Sequence, residues 1–195
     1  MTEVIQSGDS RESGSMEIYQ IEEGEPADLG QRLLKEQRTY QFLRERNISF
    51  LRADHDAAAT IEDCRLVDEA LGVKMCKNLF LTNSQRTRFY LLMLPGEKKF
   101  KTKDLSKQIQ SARLSFAEGM YMERFLDISP GAVSVMGLMN DREQQVQLLI
   151  DREILQEEDL GCHPCVNTSS LKLKMKDMLE IFLPATGHDF IEVVL

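Results

Sequence analysis

The sequence predicts an α/β fold: one domain with a mixed sheet surrounded by helices. Three observations lead there. Some segments repeat apolar residues at helical spacing, others alternate in strand fashion, and the two kinds mix without the strict β–α alternation of a doubly wound parallel fold. A chain of 195 residues can bury one substantial core.

Residues 1–28 read as an acidic N-terminal extension in which only "MEIYQI" (16–21) has strand character. The domain proper is expected over 29–195. Leu29, Leu33, Leu34, Tyr40 and Leu43 recur near the 3.6 period and predict a helix over 29–47. "ISFLRAD" (48–54) alternates as a strand. Thr60 opens a second helix with Asp63 in the capping-box position, and Gly72 closes it. Two apolar runs about a polar turn in "NLFLTNSQRTRFYLLMLPG" predict a hairpin. Thr102 to Gln110 reads as a helix, "RLSF" as a short strand, and Glu118 to Leu126 as a helix. "QQVQLLID" (144–151) is a strand. "SSLKLKM" (169–175) places Lys172 and Lys174 on one face and Leu171, Leu173 and Met175 on the other. Asp177 to Ala185 forms a last helix stopped by Gly187, and "FIEVVL" a last strand.

Charge is unevenly spread. Of the net −8, residues 1–30 hold eight acids and one base, leaving 24 acids and 23 bases elsewhere. A nearly neutral body can still present a basic patch to nucleic acid. The N-terminus has neither a basic nor an apolar signal region, and no apolar run is long enough to cross a bilayer. A cytoplasmic protein with reduced thiols and no membrane contact is expected.

"DLGCHPCVNTSS" (159–170) sets Cys162 and Cys165 at C-x-x-C spacing about His163. Zinc would require a second ligand pair, but Cys64 and Cys76 stand twelve positions apart. A redox pair would open a helix, whereas a strand-like segment follows. The preferred reading is a loop with two half-buried, chemically incidental cysteines, no metal and no cofactor. A Cys162→Ser, Cys165→Ser variant should then remain folded and active. His163, held between Gly161 and Pro164, is either a surface histidine or a rigidly placed base or polar anchor. Lys77 and Asn78 stand at the mouth of an apolar strand, where a lysine either snorkels to solvent or meets a phosphate or carboxylate. Gly131 and Gly137 bracket small residues, as in a tight turn or a loop that lets a ligand approach the backbone.

Taken together, "CKNLFL", "PGAVSVMGLMND", "GCHPCVNT" and "FLPATGHDF" resemble the YbaK/prolyl-tRNA-synthetase editing-domain family, in its free-standing alanyl-tRNA(Pro) deacylase, or prolyl-tRNA synthetase associated, branch. The resemblance spans roughly residues 35 to 195. It includes His55, Thr60 and Asp63 in the family's "His…Thr-x-x-Glu" segment. It implies that fold, and a hydrolase cleaving the aminoacyl ester of mischarged tRNA in trans. Lys77 falls on the family's essential lysine and His163 on the histidine of its "G-x-H-P"-like loop, the two implied catalytic residues. Asn78 and the loop residues Gly131, Ala132, Val133 and Ser134 are implied substrate contacts. That loop usually reads Gly-x-x-x-Pro, and here its fifth position is Val135. The implied substrate is alanyl-tRNA(Pro). Another aminoacyl-tRNA, such as cysteinyl-tRNA(Pro), and a non-catalytic tRNA-binding or regulatory module are the alternatives. Arg86, Arg88, Lys98, Lys99, Lys101 and Lys103 are candidate tRNA contacts, and prolyl-tRNA synthetase is a candidate second partner.

Overall fold

A computed structural model describes residues 16–58 and 61–195, with the backbone alone at 61 and 62. The α/β class with helices around sheet is observed, but the strands divide into two sheets. The first is antiparallel, in the order β1 (Ile18–Glu23), β2 (Phe50–His55), β8 (Ser169–Lys174), β7 (Asp159–Cys162). The second is mixed, in the order β5 (Leu114–Phe116), β3 (Cys76–Asn83), β4 (Phe89–Pro95), β6 (Val146–Asp151), β9 (Phe190–Val193). Within it β3 pairs antiparallel to β4 and β5, whereas β4–β6 and β6–β9 are parallel.

Strand alternation sorts the cores. Cys76, Phe80, Leu91, Met93, Leu148 and Ile150 turn inward and meet Phe50, Leu171 and Leu173 of the first sheet. Helix α1 (Leu34–Glu45), carrying Tyr40 and Leu43, closes this main core. The opposite face of the second sheet, with Leu81, Leu92, Leu94 and Leu149, packs on Leu105 of helix α3 (Thr102–Gln108). Helix α2 (Ile61–Leu71) covers the other face of the first sheet, Val67 and Leu71 lying on Ala53. The central strands β4 and β6 are thus buried on both faces, whereas β1 at the edge of the first sheet is mostly exposed.

Several elements depart from the sequence reading. The expected helix over 29–47 starts only at Leu34, after a 3-10 turn at Leu29–Gln31. Arg32, extended at φ −80° and ψ 165°, breaks it, because its guanidinium reaches Asp28, Glu36 and Asp54 together. Leu33 and Leu34 fit the apolar period yet stand exposed. Residues 159–162, expected as part of a loop, are strand β7, so the loop proper is only 163–168. Ile18–Glu23, from the expected extension, pairs along β2 as β1. Thr60 of the expected capping box lies outside the described residues. Helix α4 (Gly119–Leu126) and the hairpin β3–β4 stand where expected. The last helix is longer than expected and in three pieces, α6 (Met175–Asp177), a π-helical turn (Met178–Phe182) and α7 (Leu183–Thr186), and it ends at Gly187 with φ +75°. A four-residue helix, α5 (Arg152–Leu155), follows β6.

The two sheets touch backbone to backbone at one parallel bridge, Met75 with Gly161. A Cβ at Gly161 would lie 2.7 Å from Met75 Sδ and 3.1 Å from Met75 Cα. A side chain there would force Met75 to shift, so glycine favours this close approach.

Candidate active site

Beside that bridge lies a cavity of about 330 Å³. Ala58, Cys64 and Val67 form its α2 side, residues 75–77 its β3 side, and His163 and Ser170 the side of the β7–β8 hairpin. The two residues implied to be catalytic, Lys77 and His163, thus line one cavity although they come from different sheets. Each follows the Met75–Gly161 bridge by two positions, which sets them alongside one another.

Lys77 Nζ donates to the Lys98 carbonyl at 3.1 Å and meets no carboxylate among the described residues. An ammonium has three N–H donors, so two remain for a ligand oxygen. Its neighbour Lys98 is the contrast. Lys98 Nζ is held by Asp151 at 2.9 Å and Glu153 at 2.8 Å, so its charge is already neutralised.

The His163 ring is anchored on one side. Its Nδ1 lies 3.0 Å from the Ser169 carbonyl and 3.2 Å from Ser170 Oγ. A carbonyl only accepts, so Nδ1 carries the hydrogen and Nε2 keeps its lone pair. Burial lowers the ring's pKa, outweighing the bond to Ser169, and the nearby His55 lowers it further. The ring therefore stays neutral at neutral pH, as a base must. The backbone beneath is fixed too, because Ser134 Oγ donates to the His163 carbonyl at 2.6 Å.

The other sequence-derived residues are placed differently. Asn78 shares the inward face of β3 and does not line the cavity. Its Nδ2 reaches the Cys76 carbonyl at 3.3 Å and Cys76 Sγ at 3.4 Å, and its Oδ1 is buried without a partner among the described residues. Gly131, Ala132, Val133 and Ser134 do not line the cavity either; they support His163 from behind, through Ser134. Val135, at the position usually proline, is fully buried and opens the 3-10 helix Val135–Asn140. Arg86 and Arg88 sit at the β3–β4 turn, the far end of β4 from Lys98, about 20 Å away for seven strand residues. Arg86 pairs there with Glu118 at 2.7 Å. Lys99, Lys101 and Lys103 are exposed on the segment that leads away from the cavity lip.

The cysteines are more buried than half. Cys162 is 0% and Cys165 1% exposed, and burial holds both thiols protonated, Cys165 pushed up to about 12. Among the described residues no three His, Cys, Asp or Glu side chains converge to hold a metal ion. Full burial changes the expectation for the Cys162→Ser, Cys165→Ser variant. It should still fold, but about 1–3 kcal/mol less stably for each hydroxyl left unpartnered. A denaturant midpoint unchanged from the parent would refute that cost.

A family model described as an aminoacyl-tRNA editing domain matches residues 55–181. The chain belongs to this family. An editing domain acts on the ester that joins an amino acid to tRNA, so the protein is an aminoacyl-tRNA deacylase and tRNA is its substrate class. Among similar proteins, the "Prolyl-tRNA editing protein ProX" of Acetoanaerobium sticklandii is 30% identical over 148 residues, 76% of this chain and 90% of that one. The "Prolyl-tRNA synthetase associated domain-containing protein 1" of Xenopus laevis is 29% identical over 166 residues, 83% and 94% of the two chains. A solved structure described as a candidate trans-editing enzyme for prolyl tRNA synthetase superposes with a TM-score of 0.61. It covers 84% of this chain and 99% of its own, and at 12% identity it supports the editing-domain fold alone. Among the described residues no helix of this editing domain is long and apolar enough to cross a membrane.

Proposed function

We propose that this deacylase edits mischarged tRNA(Pro) in trans, and that its substrate is alanyl-tRNA(Pro). The observation that carries the reading is the pairing of Lys77, an ammonium with no ion pair among the described residues, with a neutral imidazole, His163, on one small cavity whose lining also includes Arg65, Asp68 and Glu97. One relative is named for prolyl-tRNA editing and the other for a prolyl-tRNA synthetase associated domain, which supports tRNA(Pro). At about 330 Å³ the cavity is near the lower end of the range for ligand sites, about 300–1,000 Å³, and its walls are largely apolar. A short apolar side chain suits it.

The chemistry follows from the positions. His163 Nε2 accepts a proton from water as the water oxygen attacks the ester carbonyl carbon. Lys77 stabilises the negative charge that develops, or the phosphate next to it, as a compact cation. The C–O bond then breaks, the ribose oxygen takes the proton back from His163, and free amino acid and tRNA leave. Lys99, Lys101 and Lys103, next to the lip, are the proposed contacts to the acceptor strand, with Arg86 and Arg88 reaching RNA only farther along the molecule.

The test is single-turnover deacylation of one tRNA(Pro) carrying each amino acid in turn. A sieve excludes what is too large and rejects smaller or similar groups weakly. Rapid hydrolysis is expected for alanyl-tRNA(Pro), slower hydrolysis for the seryl ester by at most about a hundredfold, and almost none for the prolyl ester. Equal rates on the prolyl and alanyl esters would overturn the proposal; a cysteinyl rate above the alanyl one would move the assignment to cysteine.

A further inference from the structure

Behind His163 stands a second histidine that no step above uses. Ala53 of β2 pairs with Ser170 of β8, so His55, two positions on, is the diagonal neighbour of Ser170 on the same face. Both are buried, His55 at 2% and Ser170 at 0% exposure. His55 Nδ1 lies 2.7 Å from the Asp56 carbonyl, and its Nε2 lies 2.9 Å from Ser170 Oγ. Ser170 Oγ in turn lies 3.2 Å from His163 Nδ1.

The hydrogens can be assigned from one end to the other. The Asp56 carbonyl only accepts, so His55 carries its hydrogen on Nδ1. His55 Nε2 is then a lone pair, and Ser170 must donate its single hydroxyl hydrogen to it. That hydrogen is no longer available to His163. Ser170 Oγ faces His163 Nδ1 as an acceptor, beside the Ser169 carbonyl at 3.0 Å. We infer that His55, acting through Ser170, is a positioning residue that keeps the hydrogen of His163 on Nδ1 and its lone pair on the substrate-facing Nε2. When His163 takes a proton from water, the same two acceptors bind the positive ring. Without His55, the Ser170 hydroxyl is free to rotate and donate to Nδ1, which favours the tautomer that cannot act as a base.

The inference rests on the reading of His163 as the base, and its test separates the two. The first measurement is the ¹⁵N spectrum of histidine-labelled protein, which reports tautomers without any substrate. His163 should be Nδ1-protonated in the parent and show Nε2-protonated character in His55→Phe. The second is kinetic. His55→Phe should lower kcat by about 10- to 100-fold, as loss of a partner that orients a functional histidine does in metal sites, with KM unchanged. His55→Gln, whose carbonyl oxygen can accept from Ser170, should recover most of it. Ser170→Ala removes the competing donor together with the link and leaves the Ser169 carbonyl to hold the Nδ1 hydrogen, so it should cost less than His55→Phe and keep the Nδ1-protonated signal, and the double variant should behave like Ser170→Ala. A parent His163 protonated on Nε2, or an unchanged tautomer and kcat in whichever of His55→Phe and His55→Ala folds, would overturn the inference. If the spectra behave as expected while no charged tRNA is hydrolysed, the proposed substrate has failed and the relay stands.

Discussion

Replacing Lys77 by alanine is expected to lower deacylation by about 100- to 1,000-fold, the loss typical of removing one preorganised donor at a developing charge. The effect should fall mainly on kcat. The fold should survive, because Lys77 Nζ makes one bond to a carbonyl and its charge supports no ion pair among the described residues. A stability change below about 1 kcal/mol is expected, as for substitutions that create no cavity and orphan no charge. The neighbouring Lys98→Ala is the control with the reverse signature. It releases Asp151, which is fully buried, and should cost stability rather than chemistry. Near-normal turnover in Lys77→Ala would remove the lysine from the mechanism.

The largest stability loss is expected at Asp54, on the opposite face of β2 from His55. Arg52 is fully buried on β2 and pairs with Asp54 and with Glu22, while Arg32 grips Asp54 at 2.8 Å. Burial alone would raise the Asp54 pKa, but the bonds from Arg32 and Arg52 outweigh it and hold the carboxyl below its usual value. Asp54→Ala leaves the buried Arg52 with only the half-exposed Glu22 and the Gly24 carbonyl, at a cost toward the lower side of the about 3–5 kcal/mol for breaking a buried pair, against a total stability of about 5–15 kcal/mol for a typical domain. Replacing both Arg52 and Asp54 by apolar residues of similar size should restore part of the loss, because the desolvation cost disappears with the charges. The pH dependence has a definite sign. A carboxyl whose folded pKa is depressed stabilises the fold above its unfolded pKa, near 3.9, and that contribution fades as the pH falls through the folded value. Chemical denaturation of the variants at neutral and acid pH measures both effects. A midpoint that does not move in Asp54→Ala would show that Arg52 finds another partner.

What the sequence revealed and what it concealed have physical causes. The hairpin β3–β4 is legible because two apolar runs, buried on both faces, flank a polar turn, and strand β8 because it alternates, Lys172 and Lys174 pointing away from Leu171 and Leu173. The division into two sheets is not, because it depends on β2 choosing β8, more than a hundred residues later, and local pattern carries no trace of that choice. Strand β7 is hidden by its four residues and by Gly161, whose small size reads as a turn signal but serves a close crossing. The start of α1 is misread because apolar spacing counts Leu33 and Leu34 and ignores Arg32, whose three carboxylate partners decide the local backbone. At the site, Lys77 and His163 were reachable through the resemblance of their motifs. Asn78 and the 131–134 loop follow the same motifs but face inward or sit behind. His55 was reachable through the same resemblance, but Ser170 was not, and only the register of β2 on β8 brings the two into contact.

The Met75–Gly161 crossing has a consequence for how such a protein can change. The spacing of Lys77 and His163 is set by main chain, like the jaws of a caliper fixed at its pivot, and a side chain at Gly161 would have to displace Met75 at that pivot. The opposite wall of the cavity is different in kind: Ala58, Cys64 and Val67 contribute side chains, which substitution can alter one at a time. On the proposed assignment of Lys77 and His163, reactivity and selectivity would be inherited through separate parts of the molecule. A lineage, or a designer, can reshape which amino acid fits by exchanging residues on the α2 wall while the reacting groups keep their gauge.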